Sequence, residues 1–534
     1  MNEINNRILL DLEIYEKVLP ILDKTITVFG NLKLKEIIKT VYYDFDKLSE
    51  RRNILLSMLK FNKNIKKIKK NLEQIKYVQN DINWLFQDNE KEIEEFCFKY
   101  DYLNISELIS TKNFYKIYSP SFLIIIYILI YLVLKFNKLE IDITSYLLEI
   151  YRGYQTFMFS ILTLFVDNFN LLTFLANFFA NIYVLYQFYA IYNSCDSSYT
   201  HFNKCKIMKE KIKNINILIS CTENILKNDK FLLKEKKIVH DKLKYIKKIF
   251  DKAHTIGGIV LTKQQKKIYE DDFDIILQYI GSLDCFISII SLVKNNNFKF
   301  PEYNFNNPKP FIVANGLFLP YFHKEEQVKN DCYLGDPSIM IITGPNSCGK
   351  STYIRNVMLS ILFAQTIGVT CCDNLIFTPF YSLFTYLDIP NVARYKESLF
   401  EAEINYCSEY CNILENLKPN LFSFTIMDEL FTGTNPREGI SASSAVCEYS
   451  SKFDNNLLIV TTHFHELTKL ENSHPGKFIN MKFSINKEND KFIRNYQIEK
   501  GISNQNIAIE LLKQKGYNSY IIKRAIEKSK EINI

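Results

Sequence analysis

The order of hydrophobic and polar positions divides the chain into a long helical part and a shorter part in which strands and helices alternate. From residue 13 to about residue 59, apolar residues recur three and four positions apart, which is the spacing of one face of a helix. The same periodicity continues through the charged stretch 62–99 and returns at 203–275, where many lysines predict long exposed helices. Residues 1–300 are therefore predicted to be mostly helical.

Two segments inside this helical part are almost free of charge. Residues 117–134 contain no charged side chain, and residues 153–195 contain only Asp167. A fully helical segment of this length can cross a bilayer, and the lysines on the outer flanks favour a hairpin with both ends on the cytoplasmic side. A buried pair of core helices has the same pattern, and amides such as Asn177 favour it because unpaired amides are costly in lipid. Both interpretations remain open.

The pattern changes after a proline-rich boundary that contains Pro301, Pro308 and Pro310. Short apolar runs at 339–343, 421–427 and 457–461 predict strands, and the stretch 352–363 predicts a helix. Strands that alternate with helices are typical of an α/β domain with a parallel sheet.

Composition excludes some classes of protein but does not identify the function. A chain of 534 residues with 47% hydrophobic residues can bury more than one core. The formal charge of +7 permits binding to DNA without requiring it, and the lysine run 66–70 is either a solvated helix face or a phosphate contact. The 12 cysteines have no zinc-binding spacing, and Asp11 and Glu13 interrupt any leader-like start. We therefore expect an intracellular protein of the cytoplasm or a nucleus-like compartment, with membrane association through the apolar segments as the open alternative.

The first candidate for chemistry is the stretch from Gly344 to Ser351, GPNSCGKS, which fits the pattern GxxxxGK[ST] between a predicted strand and a predicted helix. Phosphate binding needs inward-turned backbone N–H groups and a helix N-terminus, and glycines permit that turn. We expect Lys350 to reach the β- and γ-phosphates of ATP and Ser351 to bind Mg²⁺. The predicted nucleotide contacts are Gly344, Pro345, Asn346, Ser347, Cys348, Gly349, Lys350, Ser351 and Thr352.

Two further strands are predicted to end in polar side chains. The run 421–427 delivers Asp428 and Glu429, and a parallel sheet places that end beside the phosphate loop. Asp428 is expected to hold Mg²⁺, and Glu429 is expected to act as general base for the attacking water. His463 follows the third run and is predicted to sense the γ-phosphate. The predicted catalytic residues are thus Lys350, Glu429 and His463.

These motifs, in this order, resemble those of the MutS mismatch-repair ATPases. The similarity covers GPNSCGKSTYIR at 344–355, IMDELFTGTNPREG at 426–439 and TTHFHELTKL at 461–470. A fourth stretch, SLFEAE at 398–403, resembles the signature segment that in this family reaches the nucleotide of the partner subunit. The resemblance implies that Ser398 contacts nucleotide in trans, although Leu399 differs from the family's usual threonine.

The resemblance implies a fold and a division of the chain. The expected fold class is an α/β P-loop (ABC-like) ATPase domain joined to a large, mostly α-helical core and lever domain, with a small C-terminal helical dimerisation element. The expected domains are 1–60 for the start of the helical core, 61–300 for core and levers with both apolar segments, 301–475 for the ATPase domain and 476–534 for a C-terminal strand and the dimerisation element.

The resemblance also implies a function. We expect an ATP-dependent DNA-binding clamp that hydrolyses ATP with Mg²⁺ in a composite site of a homodimer, or of a heterodimer with a related subunit, in mismatch repair or recombination. The chain is expected to start in the helical core, without the domain that reads mismatches in this family. The alternative is a membrane-anchored MutS-like P-loop ATPase that uses 117–134 and 153–195 as anchors and acts on a protein or lipid partner.

Overall fold

The computed structural model describes residues 2–86, 206–387, 399–488, 491–503, 512–513 and 515–531, together with 142–148 and single positions between 128 and 189. The two apolar segments lie almost wholly outside the described residues, and Ser398 lies outside them. The chain forms two compact units that are discontinuous in sequence. The first unit comprises residues 1–73, 228–236 and 277–534, and the second comprises residues 74–227 and 237–276.

Within the described residues of the range 1–300, the helical pattern is confirmed, although the stretch 13–59 forms several helices. Side-chain caps mark new starts within it: Thr27 accepts a hydrogen bond from the Gly30 backbone N–H, and Asp44 accepts one from that of Lys47. The helices are α1 Asn6–Asp11, α2 Leu19–Leu22, α3 Val28–Ile38, α4 Phe45–Lys60, α5 Asn62–Val78, α6 Asn80–Phe86, α7 206–228, α8 Leu233–Phe250, α9 Ile256–Gln264 and α10 Lys266–Asn295, with a π-helical turn Ile14–Val18.

Within the described ranges, α10 is the one helix that is long and apolar enough to cross a membrane. The protein buries 72% of its most apolar window, as is usual for a core helix. Asp284 in this helix is fully buried and accepts hydrogen bonds from the backbone N–H groups of Ile26 and Thr27 and from the Thr27 hydroxyl. A buried carboxylate that is bonded to the start of α3 ties α10 to the protein interior.

Three sheets account for the strands among the described residues. The strands are β1 Asn2–Glu3, β2 Thr40–Val41, β3 Glu302–Tyr303, β4 Ile312–Leu317, β5 Asn330–Leu334, β6 Ile339–Thr343, β7 Asn374–Phe377, β8 Ser382–Tyr386, β9 Ser423–Asp428, β10 Asn456–Thr462, β11 Phe478–Glu488 and β12 Lys491–Lys500. β1 pairs with β2, and a four-stranded sheet has the order β3-β7-β4-β5. The central sheet has six strands in the order β12-β11-β6-β10-β9-β8.

The central sheet is parallel except for β12, which pairs antiparallel with β11. Three of its four inner strands, β6, β10 and β9, are those predicted from the apolar runs, which are continuous because both faces of these strands are buried. The helix predicted at 352–363 is confirmed within α11, Lys350–Thr366. The remaining helices are α12 Leu399–Asn416, α13 Pro436–Ser450, α14 Leu470–Ser473 and α15 Ser519–Glu531, with a 3₁₀ turn His465–Lys469.

One face of the central sheet packs against α12 and α13. Alternate residues of β6 and β10, such as Ile341 and Val460, enter the same buried cluster as Tyr410 of α12 and Cys447 of α13. This core holds both helices against the sheet whose carboxyl edge carries the candidate site.

Candidate functional site

The loop 344–349 joins β6 directly to α11. Gly349 caps the helix with a φ of 107°, and Ser347 has a φ of 60°, so both lie in the left-handed region. Glycine adopts this region freely, whereas serine keeps it only when its surroundings fix it. Pro345 and Cys348 are buried while Asn346 and Ser347 are exposed. The loop is therefore anchored at its base and presents its tip outward.

Lys350, the first residue of α11, points into this loop. Its side chain is only 5% exposed, and Nζ donates to the carbonyl oxygens of Gly344 at 2.9 Å and Pro345 at 3.3 Å. Burial lowers the pKa of the Lys350 ammonium. A cation held in this way is available to an anion that enters the loop.

The strand register brings the ends of β9 and β10 to the same edge. Asp428 pairs with Thr461, and Thr462 pairs with Thr343, the last residue before the loop. Neighbouring strands lie about 4.8 Å apart, so the end of β9 lies about 10 Å from that of β6. The Glu429 backbone N–H donates to the Thr461 carbonyl at 3.1 Å, which continues the ladder past the strand end.

Glu429, His463 and Lys350 meet at this edge. Glu429 Oε1 lies 2.9 Å from His463 Nε2 and 4.0 Å from Lys350 Nζ, and Nε2 lies 3.1 Å from Nζ. A single ring nitrogen serves one role at a time: it donates to Glu429 when protonated and accepts from Lys350 when not. The hydrogen bond from His463, with a smaller contribution from Lys350, lowers the pKa of Glu429 and keeps it ionised.

Asp428 and Ser351 are the predicted magnesium ligands. The Thr461 hydroxyl donates to Asp428 Oδ1 and orients that carboxylate, while Ser351 follows Lys350 and is half-buried. A carboxylate oxygen and a hydroxyl oxygen are hard donors of the kind that Mg²⁺ prefers. In the part of the chain that the structure describes, no group of three or more His, Cys, Asp or Glu residues could hold a metal.

A cavity of about 400 Å³ opens beside the loop, and its walls include Ser347, Gly349 and Thr352. Phe322 and Tyr496 also line this cavity. Sequence reasoning missed these aromatic residues, because they lie in a connecting segment and on β12 and carry no motif.

The Asn330 side chain holds the wall that carries Tyr496. Its Nδ2 donates to the Tyr496 carbonyl at 2.9 Å, and its Oδ1 accepts from the Ile498 backbone N–H at 2.9 Å. One amide thus joins β5 of the four-stranded sheet to β12 of the central sheet.

The structure thus brings most of the predicted site residues to one edge of one sheet. The loop from Gly344 to Thr352, Glu429 and His463 form a contiguous group, and Asp428 lies at the end of the strand that leads to Glu429. Ser398 lies outside the described residues, and its role stays a prediction.

The fold and this edge define a mostly helical protein with mixed sheets, whose candidate site combines a glycine-rich strand–loop–helix with carboxylates on a neighbouring strand. Residues 340–533 match the family model described as MutS domain V. The chain thus contains a segment similar to MutS domain V, and it is similar to MutS proteins over about half of its length.

The relatives carry the name DNA mismatch repair protein MutS. The protein of Alkaliphilus metalliredigens is 31% identical over 251 residues, which is 46% of this chain and 28% of the relative. The protein of Finegoldia magna is 31% identical over 280 residues, 50% of this chain and 32% of the relative. The protein of Caldanaerobacter subterraneus is 31% identical over 251 residues, 47% of this chain and 28% of the relative. The aligned part of the chain thus spans about a third of the length of these curated relatives.

Proposed function

We propose that this chain binds ATP with Mg²⁺ at the loop 344–351, hydrolyses it, and acts as a MutS-type DNA-binding ATPase in mismatch repair or recombination. One observation carries the proposal: Lys350, Glu429 and His463 converge within 4.0 Å, directly beside a phosphate-type loop. The family match and the relatives named as mismatch repair proteins support the same class of function.

Binding follows from the loop and its cavity. The N-terminus of α11 presents backbone N–H groups, and Lys350 adds a buried positive charge directed into the same loop. A phosphate that enters the loop would accept hydrogen bonds from the Lys350 ammonium group in place of the carbonyl oxygens of Gly344 and Pro345. Phe322 and Tyr496 in the cavity lining offer rings for the base of the nucleotide, since flat rings stack on aromatic side chains.

Hydrolysis follows from the two carboxylates. Glu429 is ionised, as a general base must be, and His463 within hydrogen-bond distance orients it. Asp428 and Ser351 would hold Mg²⁺, which neutralises phosphate charge when it is bound. Glu429 then accepts the proton of the attacking water while Lys350 holds the phosphates in place.

The resemblance of residues 398–403 to the family's signature segment leads us to propose a composite site in a dimer. Mixing Lys350→Ala subunits with Ser398→Ala subunits should restore hydrolysis, because each mixed dimer keeps one site with an intact Lys350 in cis and an intact Ser398 in trans. Purified mixed dimers should show about half the wild-type rate per dimer. The parents measured alone serve as controls, and mixed dimers no more active than either parent would exclude a shared site.

DNA binding is proposed through phosphate contacts of exposed lysines such as Lys66 and Lys70 on α5. Affinity for duplex DNA should fall about tenfold between 50 and 200 mM salt for as few as two phosphate contacts. The Lys66→Gln/Lys70→Gln variant should show a shallower salt slope in fluorescence anisotropy. Lys418→Gln/Lys452→Gln removes two exposed charges elsewhere and should leave the slope unchanged. If the salt dependence of DNA affinity has the same slope in both variants, α5 does not contact DNA.

The membrane-anchored alternative gains no support from the described residues, where the single candidate span is the mostly buried α10. The apolar segments 117–134 and 153–195 lie almost wholly outside those residues, so their role as anchors stays a prediction.

A further inference from the structure

The segment that follows Glu429 has an unusual backbone. Glu429 has a φ of 51° and Phe431 a φ of 52°, so two residues with side chains occupy the left-handed region within three positions. Such conformations cost free energy and persist only where neighbouring groups impose them. The direction in which the Glu429 carboxylate points therefore depends on whatever holds residues 430–434.

Glu403 of α12 holds this segment through its backbone. The side chain is only 2% exposed; its Oε1 accepts from the Thr432 N–H at 3.1 Å, and its Oε2 accepts from the Gly433 N–H at 3.2 Å. Both oxygens are thus used on two successive backbone donors. Phe400, one turn earlier on the same helix, packs edge-on against Phe431 with ring centroids 6.1 Å apart.

Helix α13 holds the segment from the other side. The Ser443 hydroxyl lies 3.0 Å from the Leu430 carbonyl oxygen and 2.7 Å from the Gly439 carbonyl oxygen of its own helix, so it shares its proton between the segment and α13. A Cβ added at Gly439 would lie 2.5 Å from the Phe431 carbonyl oxygen, so only glycine permits this approach. Residues 430–433 are therefore clamped between two helices, and the two bonds to Glu403 are the charge-assisted part of that clamp.

Joining a helix to a loop through a buried carboxylate costs free energy, because the charged group loses its contact with water. Burial penalises the ionised form and raises the pKa of Glu403, while the two backbone hydrogen bonds act in the opposite direction. An apolar side chain would pack α12 at lower cost but could not accept from two backbone donors. The acceptor geometry is what Glu403 adds beyond packing.

We propose that Glu403 is a positioning residue for Glu429: by fixing the backbone of Thr432 and Gly433, it sets the left-handed turn that directs the Glu429 carboxylate. The inference rests on the proposed ATPase function. Glu403 bonds to the segment after Glu429 and not to Lys350 or the loop 344–351. Its loss should therefore slow hydrolysis and spare nucleotide binding.

The test compares Glu403→Ala and Glu403→Gln with Glu409→Gln, which alters an exposed carboxylate on the same helix. We expect Glu403→Ala to lower kcat by about tenfold to 100-fold, because a displacement of about 1 Å at a catalytic group costs that much. Affinity for a fluorescent ATP analogue should change less than about threefold. Glu403→Gln keeps one acceptor and should restore part of kcat, and Glu409→Gln should match wild type.

The outcomes distinguish failure of the positioning role of Glu403 from failure of the proposed ATPase function. Wild-type protein that binds no ATP would remove the proposed ATPase function itself. If wild type hydrolyses ATP, a folded Glu403→Ala variant with unchanged kcat, or with kcat and affinity reduced together, would overturn the positioning role. Should the alanine variant fail to fold by circular dichroism, Glu403→Gln decides: lower kcat with retained affinity supports the role, and unchanged kcat rejects it.

Discussion

Replacement of Lys350 with alanine is expected to weaken ATP binding by at least about 100-fold and to abolish measurable hydrolysis. Hydrogen bonds to charged groups contribute about 1.5–3 kcal/mol each, so the loss of two such bonds to phosphate oxygens is sufficient for this effect. Lys350 is nearly buried, and its ammonium group points into the loop. Among the described residues, no other lysine donates to these loop carbonyl oxygens and could take its place. The measurement is an equilibrium titration with a fluorescent ATP analogue.

The control for this experiment is Lys418→Ala, which removes an exposed lysine far along the chain from the loop. It should bind the analogue as wild type does. Because Lys350 also bonds to two loop carbonyls, melting curves of both variants should be recorded to show that they are folded. A folded Lys350→Ala protein with wild-type affinity would show that the loop is not a phosphate site.

The second large effect is expected for Glu429→Gln, with kcat lower by about 10²–10⁴-fold and nucleotide affinity retained. Glutamine keeps the shape and can still contact His463, but it cannot accept the proton of the attacking water. Single-turnover hydrolysis separates this loss from binding and product release. Glu448→Gln, which alters an exposed carboxylate near the end of α13, should hydrolyse ATP normally.

The ionisation state of Glu429 predicts how the rate of hydrolysis depends on pH. The hydrogen bond from His463 lowers the pKa of Glu429 from its ordinary value of 4.5, so the carboxylate is ionised at every pH above that value. The rate between about pH 6 and 8 should therefore not follow the titration of Glu429. A Glu429→Gln variant with an unchanged single-turnover rate would leave the site without a general base at this position.

The central strands of the large sheet are predictable from the sequence, whereas its outer strands are not. β6, β9 and β10 lie inside the sheet, and their burial on both faces leaves an uninterrupted apolar run that the sequence displays. The apolar runs do not predict β8 and β12, which lie at the edges of the sheet, or β11, which mixes polar and apolar positions. The two compact units are discontinuous in sequence, and a linear pattern does not show which distant segments join.

The candidate site also has a part that the sequence predicts and a part that only the folded structure reveals. The glycine-rich loop with Lys350 and Ser351 is local, since its chemistry requires these residue types within one turn of chain, and Asp428 and Glu429 follow one strand directly. The contact of Glu429 with His463 needs β9 and β10 to pair in register, which only the sheet decides. Ser398 and the apolar segments 117–134 and 153–195 remain predictions, because they lie outside or almost wholly outside the described residues.

The sequence by itself determined the residue types of the loop and of the strand ends, because phosphate and magnesium chemistry requires them at short, fixed spacings. Only the tertiary structure decided what surrounds them. The cavity lining with Tyr496, the Asn330 bridge and the bonds that Glu403 accepts from Thr432 and Gly433 join residues far apart in the chain. Such contacts arise from strand order and helix packing, which depend on the whole sheet.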